Sequence, residues 1–301
     1  NMWAECAPQE LIDDRLFPRV LALSEVVWTS PAERNFADFR ERVQKHYNRL
    51  DVLGVTYGLE TKPFEIEKIY NEKTNVFDLR ITQIQKDLNL YVFSKQRGPM
   101  MSNPSGVEKF SIQVPETEEL EFSFARSRGN VGKIFKHNFT FNKATRKDVK
   151  LTYPFSEKYS AGGVNALTDG MRGSDTFRGG DKSWQGYQGT DFEAVIDLVE
   201  ITDINKISIG FFQASSSWIV FPEYVEFYIS EDGTNFKASN KIINESSIRN
   251  PDWVQKDFTT SLENVKARYV KIFAKNLAEL PSFHPEAGGK PWLMIDEIIV
   301  E

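Results

Sequence analysis

Trp3-Ala4-Glu5 places an indole and a carboxylate two residues apart, just ahead of an apolar helical stretch. In a barrel of strands and helices, residues at a strand's C-terminal end line the active site. There a Trp offers an apolar wall to a sugar ring, and a Glu accepts hydrogen bonds from two hydroxyls. The plainer reading is a core Trp beside a surface Glu, and spacing alone favours it. A second candidate is Ala166-Leu167-Thr168-Asp169-Gly170-Met171-Arg172-Gly173-Ser174, where Asp169 and Ser174 present side-chain oxygens and the glycines expose carbonyls. Hard oxygen donors of this kind suit Ca²⁺. The last apolar run, Leu293 to Ile299, puts Asp296 and Glu297 on opposite faces of a strand. One of them must face inward, and an inward charge needs a partner. A calcium ion shared with the Asp169 loop would supply it; the alternative is a polar turn and a sheet edge with both carboxylates wet.

A third candidate is a scatter of aromatic side chains near strand ends: Trp184, Tyr187, Phe212, Trp218, Phe283, His284 and Trp292. An aromatic face stacked on the C–H face of a sugar, beside a few polar groups, is how such sites bind. Arg178, Asp181, Lys182 and Gln213 are the polar groups at hand. Against this, Trp184 and Trp292 equally suit plugs at the ends of a sandwich, and the apolar flank of Trp218 suits packing. His46 and His137 sit on different elements, so no histidine metal triad is expected. Asn138-Phe139-Thr140 and Asn244-Glu245-Ser246 match the glycosylation acceptor pattern, which arises often by chance.

The elements that position these groups fall into three segments. The chain has 301 residues, which suggests two or three domains. It is 40% hydrophobic and 27% charged, a globular balance, and its 13% aromatic content suits β-sheet cores. A net charge of −6 argues against nucleic acid or an anionic membrane as partner. Cys6 is the single cysteine, so neither an internal disulfide nor a cysteine zinc site can form. No apolar run reaches membrane-spanning length, so no membrane insertion is expected. The opening Asn1-Met2-Trp3 carries no signal peptide and reads as a fragment of a longer protein.

Residues 1–54 read as helical. Pro18 to Trp28 is apolar around most of its circumference and needs burial on more than one side. Ser30-Pro31-Ala32-Glu33 predicts a capping box for a second helix bearing Phe36, Phe39, Val43, Tyr47 and Leu50, with Gly54 as its C-terminal cap. Two helices alone cannot bury each other, so they are expected to be outer elements of a larger fold. Residues 55–150 read as strands around Phe64 to Ile66, Phe110 to Val114, Leu120 to Phe124 and Phe135 to Phe141, with turns at Asn71 to Asn75 and at Arg97-Gly98-Pro99. A small sandwich of the immunoglobulin or fibronectin kind fits that length. Residues 151–301 predict strands at Ala194 to Leu198, Lys206 to Phe211, Val225 to Ile229, Tyr269 to Ala274 and Leu293 to Val300. A hairpin-type turn is expected at Glu231-Asp232-Gly233, and Asp169 to Gly189 is a long Gly-rich loop. That pattern predicts a jelly roll with function on its loops.

Two resemblances sharpen this. Asn1-Met2-Trp3-Ala4-Glu5 followed by Leu16-Phe17-Pro18-Arg19-Val20-Leu21-Ala22-Leu23-Ser24-Glu25-Val26-Val27-Trp28 resembles the last strand and helix of the family 20 glycoside hydrolases, the β-N-acetylhexosaminidases. The resemblance implies a (β/α)8 barrel end, with Trp3 walling the pocket for a terminal N-acetylhexosamine and Glu5 binding its outer hydroxyls. Glu25 and Trp28 match the helix signature as structural residues. The family's adjacent Asp-Glu, which acts with the substrate's own acetamido group, is expected upstream of residue 1, since Asp13-Asp14 and Asp296-Glu297 do not match its context. No catalytic residue is therefore expected in this chain.

Residues 151–301 resemble the discoidin-like modules, also called coagulation factor 5/8 type C or family 32 carbohydrate-binding modules. The carriers are Asn165 to Gly170, Trp184-Gln185-Gly186-Tyr187, Ala194 to Leu198, Val225 to Gly233, Ala267 to Ile272 and Ile295 to Ile298. This resemblance implies calcium held by the Asp169 and Ser174 side chains, carbonyls near Leu167 and Arg172, and Glu297. Met171 to Asp175 departs from the family's loop, which often carries another Asp and a Thr. Trp184, Tyr187, Arg178, Phe212, Trp218 and His284 stand as the carbohydrate-binding set.

The expectation is thus a multi-domain, mainly β chain. It comprises a barrel terminus at 1–54, a sandwich spacer at 55–150 and a glycan-binding jelly roll at 151–301. The partner is an N-acetylhexosamine- or galactose-containing glycan, with a structural Ca²⁺ and no organic cofactor, in an extracytoplasmic protein of bacterial source. The rival reading is a pair of structural or self-associating β-modules without a glycan ligand, and a third is protein adhesion.

Overall fold

The computed structural model describes residues 12–55, 57–58, 64–71, 73–74, 76–84, 88–103, 109–125, 135–177 and 183–301. Its contacts divide the chain into two compact units, 1–136 and 137–301.

The first unit opens with three helices: α1 (Ile12–Leu16), α2 (Arg19–Trp28) and α3 (Phe36–Leu53). α3 is amphipathic, and Val43, Tyr47 and Leu50 recur along its buried face, packed with Phe17, Phe39, Val55 and Tyr57. Gly54 ends it in the left-handed conformation at φ 67°, as expected. The expected capping box at Ser30 does not start this helix. Pro31–Glu33 forms a separate 3₁₀ turn in which the Ser30 side chain caps nothing. Asn35 is the cap instead, its Oδ1 accepting from the Ala37 and Asp38 amides at 2.9 and 3.2 Å. α2 buries none of its residues, and Trp28 is 87% exposed. Arg42 of α3 holds it by a two-pronged bond to Glu25 at 2.7 and 3.0 Å.

Two antiparallel sheets follow. One has the order β1-β2-β5, with β1 Phe64–Asn71, β2 Val76–Gln83 and β5 Lys109–Val114. The other runs β4-β3-β6-β7, with β3 Asn89–Ser94, β4 Gly98–Asn103, β6 Glu118–Ala125 and β7 Phe135–Phe139. Alternation sends Phe77, Leu79 and Ile81 of β2 and Leu120, Phe122 and Phe124 of β6 into the core. Phe64 joins the sheets, stacked on Phe122 and Phe124 at 5.2 and 5.1 Å and edge-on to Phe135 at 5.4 Å. The Asn71 side chain turns the first hairpin by accepting from the Lys73 and Thr74 amides. The second expected turn lies at Lys95 to Arg97, with Gly98 at φ 82° already opening β4.

The second unit is one folded sheet of order β12-β11-β13-β10-β14-β9, with β8 (Val149–Leu151) also paired to β10. β10 (Phe192–Gln213) and β13 (Val254–Lys275) are each 22 residues long. The separate strands expected at Ala194 to Leu198 and Lys206 to Phe211 are the two halves of β10. Register shifts at Asp197/Thr202 and Ile204/Lys206 bend the β10–β13 pair, as bulges do. One half of β10 pairs with β8, the other with β14 (Trp292–Val300), and both pair with β13. The sheet so doubles over on a single core that joins Ala194 and Ile196 to Ile207, Ile209 and Phe211. The result is a jelly roll. β9 (Gln185–Gln188), β11 (Tyr224–Ser230) and β12 (Lys237–Ile243) complete it.

Because Gln213 faces Val254 and Phe212 faces Met294, the loops after β10, before β13 and before β14 collect at one end of the roll. Phe177, in the segment before β9, reaches the same end against Phe212 and Trp253.

Candidate functional site

Both carboxylates of β14 are buried, where only one was expected inward: Asp296 is 1% and Glu297 0% exposed. Neighbouring side chains point to opposite faces of a strand, so β14 is covered on both sides. Asp296 accepts from Arg172 Nε and the Gly173 amide, each at 2.8 Å. Burial pushes its pKa up and the Arg172 guanidinium opposes that. Arg172 also donates to both oxygens of Asp257. Burial works against its charge, but Asp296 and Asp257 outweigh burial and hold its pKa above the ordinary value. Gly210 makes room for this group, since a Cβ there would lie 2.1 Å from Asp296 Oδ1.

Among the described residues Glu297 makes no ion pair of this kind. Its Oε1 accepts from the Gly170 amide at 3.1 Å, and its Oε2 is buried without a partner. Burial, then the nearby charges of Asp169 and Asp296, push its pKa well up. Asn138 lies across the same loop, its carbonyl accepting from the Arg172 amide at 2.9 Å, and its side-chain Oδ1 is also buried without a partner. Two orphaned acceptor oxygens around a loop bearing Asp169 fit a hard cation with oxygen ligands. Among the described residues no three His, Cys, Asp or Glu side chains converge on one point, so carbonyl, amide or hydroxyl oxygens would have to complete the shell. Leu167 is fully buried beside this loop. The Ser174 hydroxyl donates to the Thr176 carbonyl at 2.8 Å, and the Ser174 carbonyl accepts from Trp184 Nε1 at 3.1 Å.

The structure corrects the aromatic set. Trp184, Tyr187 and Phe212 are each 1% exposed and have no face to offer a sugar. Trp184 packs over Gly173, whose missing Cβ would lie 2.2 Å from the indole. Tyr187 is a core residue whose hydroxyl donates to Gln185 Oε1 at 2.6 Å, and burial pushes the phenol's pKa up. His284 is nearly buried with both nitrogens engaged: Nδ1 accepts from the Glu286 amide, which leaves Nε2 to donate to the Ser215 carbonyl. Gln213 is buried too and braces two loops, donating to the Ser247 carbonyl and accepting from the Phe221 amide. Trp292 is half-buried, edge-on to Tyr159. Trp218 is half-buried in the left-handed conformation at φ 66°. Trp3, Glu5, Arg178, Asp181 and Lys182 lie outside the described residues.

The exposed rings at the loop end are Phe283, which belongs to the expected scatter of aromatics, and Trp253, which does not. Trp253, at the start of β13, is 38% exposed and tilted against Phe177 at 5.3 Å. Phe283 is 44% exposed, and the Arg249 guanidinium lies 3.9 Å from its ring centroid. Arg249 and Trp253 share the loop before β13, which is ordered by Asn244, Ser247 and Asn250 accepting from amides two residues on. Phe177, Arg249 and Trp253 were absent from the sequence-based set. The signal for Trp253 was an aromatic at the junction of a polar turn run and a strand.

Over 60 residues the chain is 41% identical to a β-hexosaminidase of Porphyromonas gingivalis, a stretch that is 20% of this chain and 8% of that protein. Among solved structures it is similar to CpGH89CBM32-4 of Clostridium perfringens in complex with GlcNAc-α-1,4-galactose, at 16% identity and TM-score 0.35 over 54% of this chain and 94% of that one. A fucose-binding module of Streptococcus pneumoniae matches at 15% identity and TM-score 0.35, over 54% of this chain and 97% of that one. Residues 152–298, nearly all of the second unit, match the F5/8 type C domain, the discoidin-like fold of family 32 carbohydrate-binding modules.

Proposed function

We propose that the second unit binds a glycan at the loop end of its jelly roll and serves as an accessory module of a longer glycoside hydrolase. The observation that carries this is a pair of exposed rings at the loop end: Trp253 tilted on half-buried Phe177, and Phe283 under Arg249. Rings in that position offer stacking area, and Arg249 offers several donors to hydroxyls. A module of modest affinity raises the effective concentration of enzyme at its polymer or glycoprotein substrate. The partner in this reading is an N-acetylhexosamine- or galactose-containing glycan. The Asp169–Glu297 loop would hold a structural Ca²⁺ through Asp169, Glu297 and neighbouring oxygens, and the ion's work there is to neutralise buried carboxylates.

The local identity to a β-hexosaminidase and the Trp3 to Trp28 blocks support a family 20 parent that removes terminal N-acetylhexosamine, with Trp3 and Glu5 lining its pocket. In this reading the parent is a bacterial, extracytoplasmic enzyme, and its catalytic pair lies outside this chain. The paired orders β1-β2-β5 and β4-β3-β6-β7 support an immunoglobulin- or fibronectin-like spacer between the two functions. A second reading, structural modules without a ligand, draws on the burial of Trp184, Tyr187 and Phe212.

A glycan-array screen of the whole chain, with and without chelator, separates the two. Binding to a defined glycan that falls in Trp253→Ala and Phe283→Ala supports the module. A folded chain that binds no N-acetylglucosamine-, N-acetylgalactosamine- or galactose-ended glycan supports the structural reading.

A further inference from the structure

β11 lies between β12 and β13, with Glu226 opposite Lys241 on one side and Phe273 on the other. The register between β11 and β12 shifts after Phe227, which pairs with Asn240, so that Tyr228 pairs with Ala238 and Ser239 is an extra residue. A bulge of this kind bends an edge strand and re-aims side chains. Beside it lies a cavity of about 200 Å³ lined by Glu226, Tyr228, Ala238, Ser239, Asn240 and Lys241.

The polar groups here are preorganised. The Glu226 carboxylate accepts from Lys241 Nζ at 2.9 Å and from the Tyr228 hydroxyl at 2.8 Å. A carboxylate has about four lone-pair sites, so acceptor capacity remains. The Lys241 hydrogen bond holds the Glu226 pKa below its usual value, so the group stays ionised. The Lys241 ammonium sits 3.3 Å over the Tyr224 ring, which fixes its position further. The Ser239 hydroxyl is buried and has no hydrogen-bond partner. Such a group is costly unless something completes it.

We propose that this flank of the jelly roll is a second sugar site, distinct from the loop end, that takes one neutral hexose or N-acetylhexosamine ring by adjacent hydroxyls. Glu226 accepts from one hydroxyl, Lys241 donates to its neighbour, and the Ser239 hydroxyl gains its missing partner. The pairing of opposite charges selects a neutral polyol over an ion of either sign. The inference rests on the reading that this domain binds carbohydrate.

The test is a titration of the full chain with N-acetylglucosamine, N-acetylgalactosamine and galactose, followed by amide and Ala238 methyl NMR shifts. It is repeated on a Trp253→Ala/Phe283→Ala variant. Saturable shifts at residues 238–241 that persist in that variant are expected. They should weaken about tenfold in Ser239→Ala or Glu226→Gln. Because the Ser239 hydroxyl bonds to nothing in the protein, its removal leaves the fold intact, and a lost shift reports the site. Shifts confined to residues 174–177, 249–253 and 283–284 overturn the flank site and leave the loop-end reading standing. No shift anywhere with the three sugars overturns both.

Discussion

The Trp184 indole donates to the Ser174 carbonyl over Gly173, whereas Trp253 stands 38% exposed against Phe177. Their substitutions should therefore separate stability from binding. Trp184→Ala is expected to cost about 3–5 kcal/mol in urea unfolding. Trp253→Ala and Phe283→Ala should each leave the melting temperature nearly unchanged and weaken glycan binding about tenfold, the size of one aromatic contact. Asp232 supplies a pH-dependent residue. It accepts from the Thr234 and Asn235 amides in the turn after β11, and these bonds, the Asn235 amide first, hold its pKa below the ordinary carboxylate value. A lowered folded-state pKa contributes stability that is present above the unfolded value of about 3.9 and is lost as pH falls through the folded value. Asp232→Asn should be less stable than the parent chain at neutral pH, and the gap should close in strong acid. A gap that stays constant from neutral pH to strong acid would show that the charge does not matter.

At the scale of elements, β10 and β14 meet through a position that tolerates only glycine. A methyl at Gly210 would displace the Asp296 carboxylate and, with it, Arg172, whose Nη2 lies 2.7 Å from the same point. Removing one partner of a buried charge pair is costly because the other is left unpaired. Gly210→Ala is expected to destabilise the second unit by about 3–5 kcal/mol, read by chemical denaturation. A variant as stable as the parent would mean that the strands shift freely around the pair. The cap of α3 shows a gentler form of competition. Asn35 and Ser30 are both capping residues by type, but the Pro31–Glu33 turn closes on itself and leaves the helix to start at Phe36.

For the whole molecule, buried Glu297 beside the half-buried Asp169 predicts that calcium stabilises residues 137–301 specifically. Saturating Ca²⁺ at about a hundred times its dissociation constant should raise that unit's melting temperature by about 5–10 °C, and chelator should reverse the gain. An unchanged melting curve would remove calcium from the account and leave Glu297 as a core residue held by the Gly170 amide. The unit has a core of its own, so residues 137–301 should also fold when expressed alone. A dispersed amide NMR spectrum checks this.

Local pattern was enough for much of this protein. The helical spacing of Val43, Tyr47 and Leu50, the left-handed Gly54 and the alternation in β5 and β6 all depend on neighbours a few residues apart, so they stand in the sequence itself. That a carboxylate of β14 faces inward was also legible, because Asp296 and Glu297 sit side by side in an apolar strand, and Glu297 meets the Gly170 amide of the Asp169 loop. β3 was not drawn from the sequence, since Tyr91 and Phe93 make its outer face as apolar as its inner one. Nor did the sequence disclose that β10 runs unbroken through Val199 to Asn205, or that Arg172 spends its charge on Asp257 and Asp296, 85 and 124 residues away. Which tryptophan plugs the roll and which meets solvent was decided by the tertiary structure alone. An aromatic near a strand end carries the same sequence signal whether the loops close over it, as at Trp184, or part around it, as at Trp253.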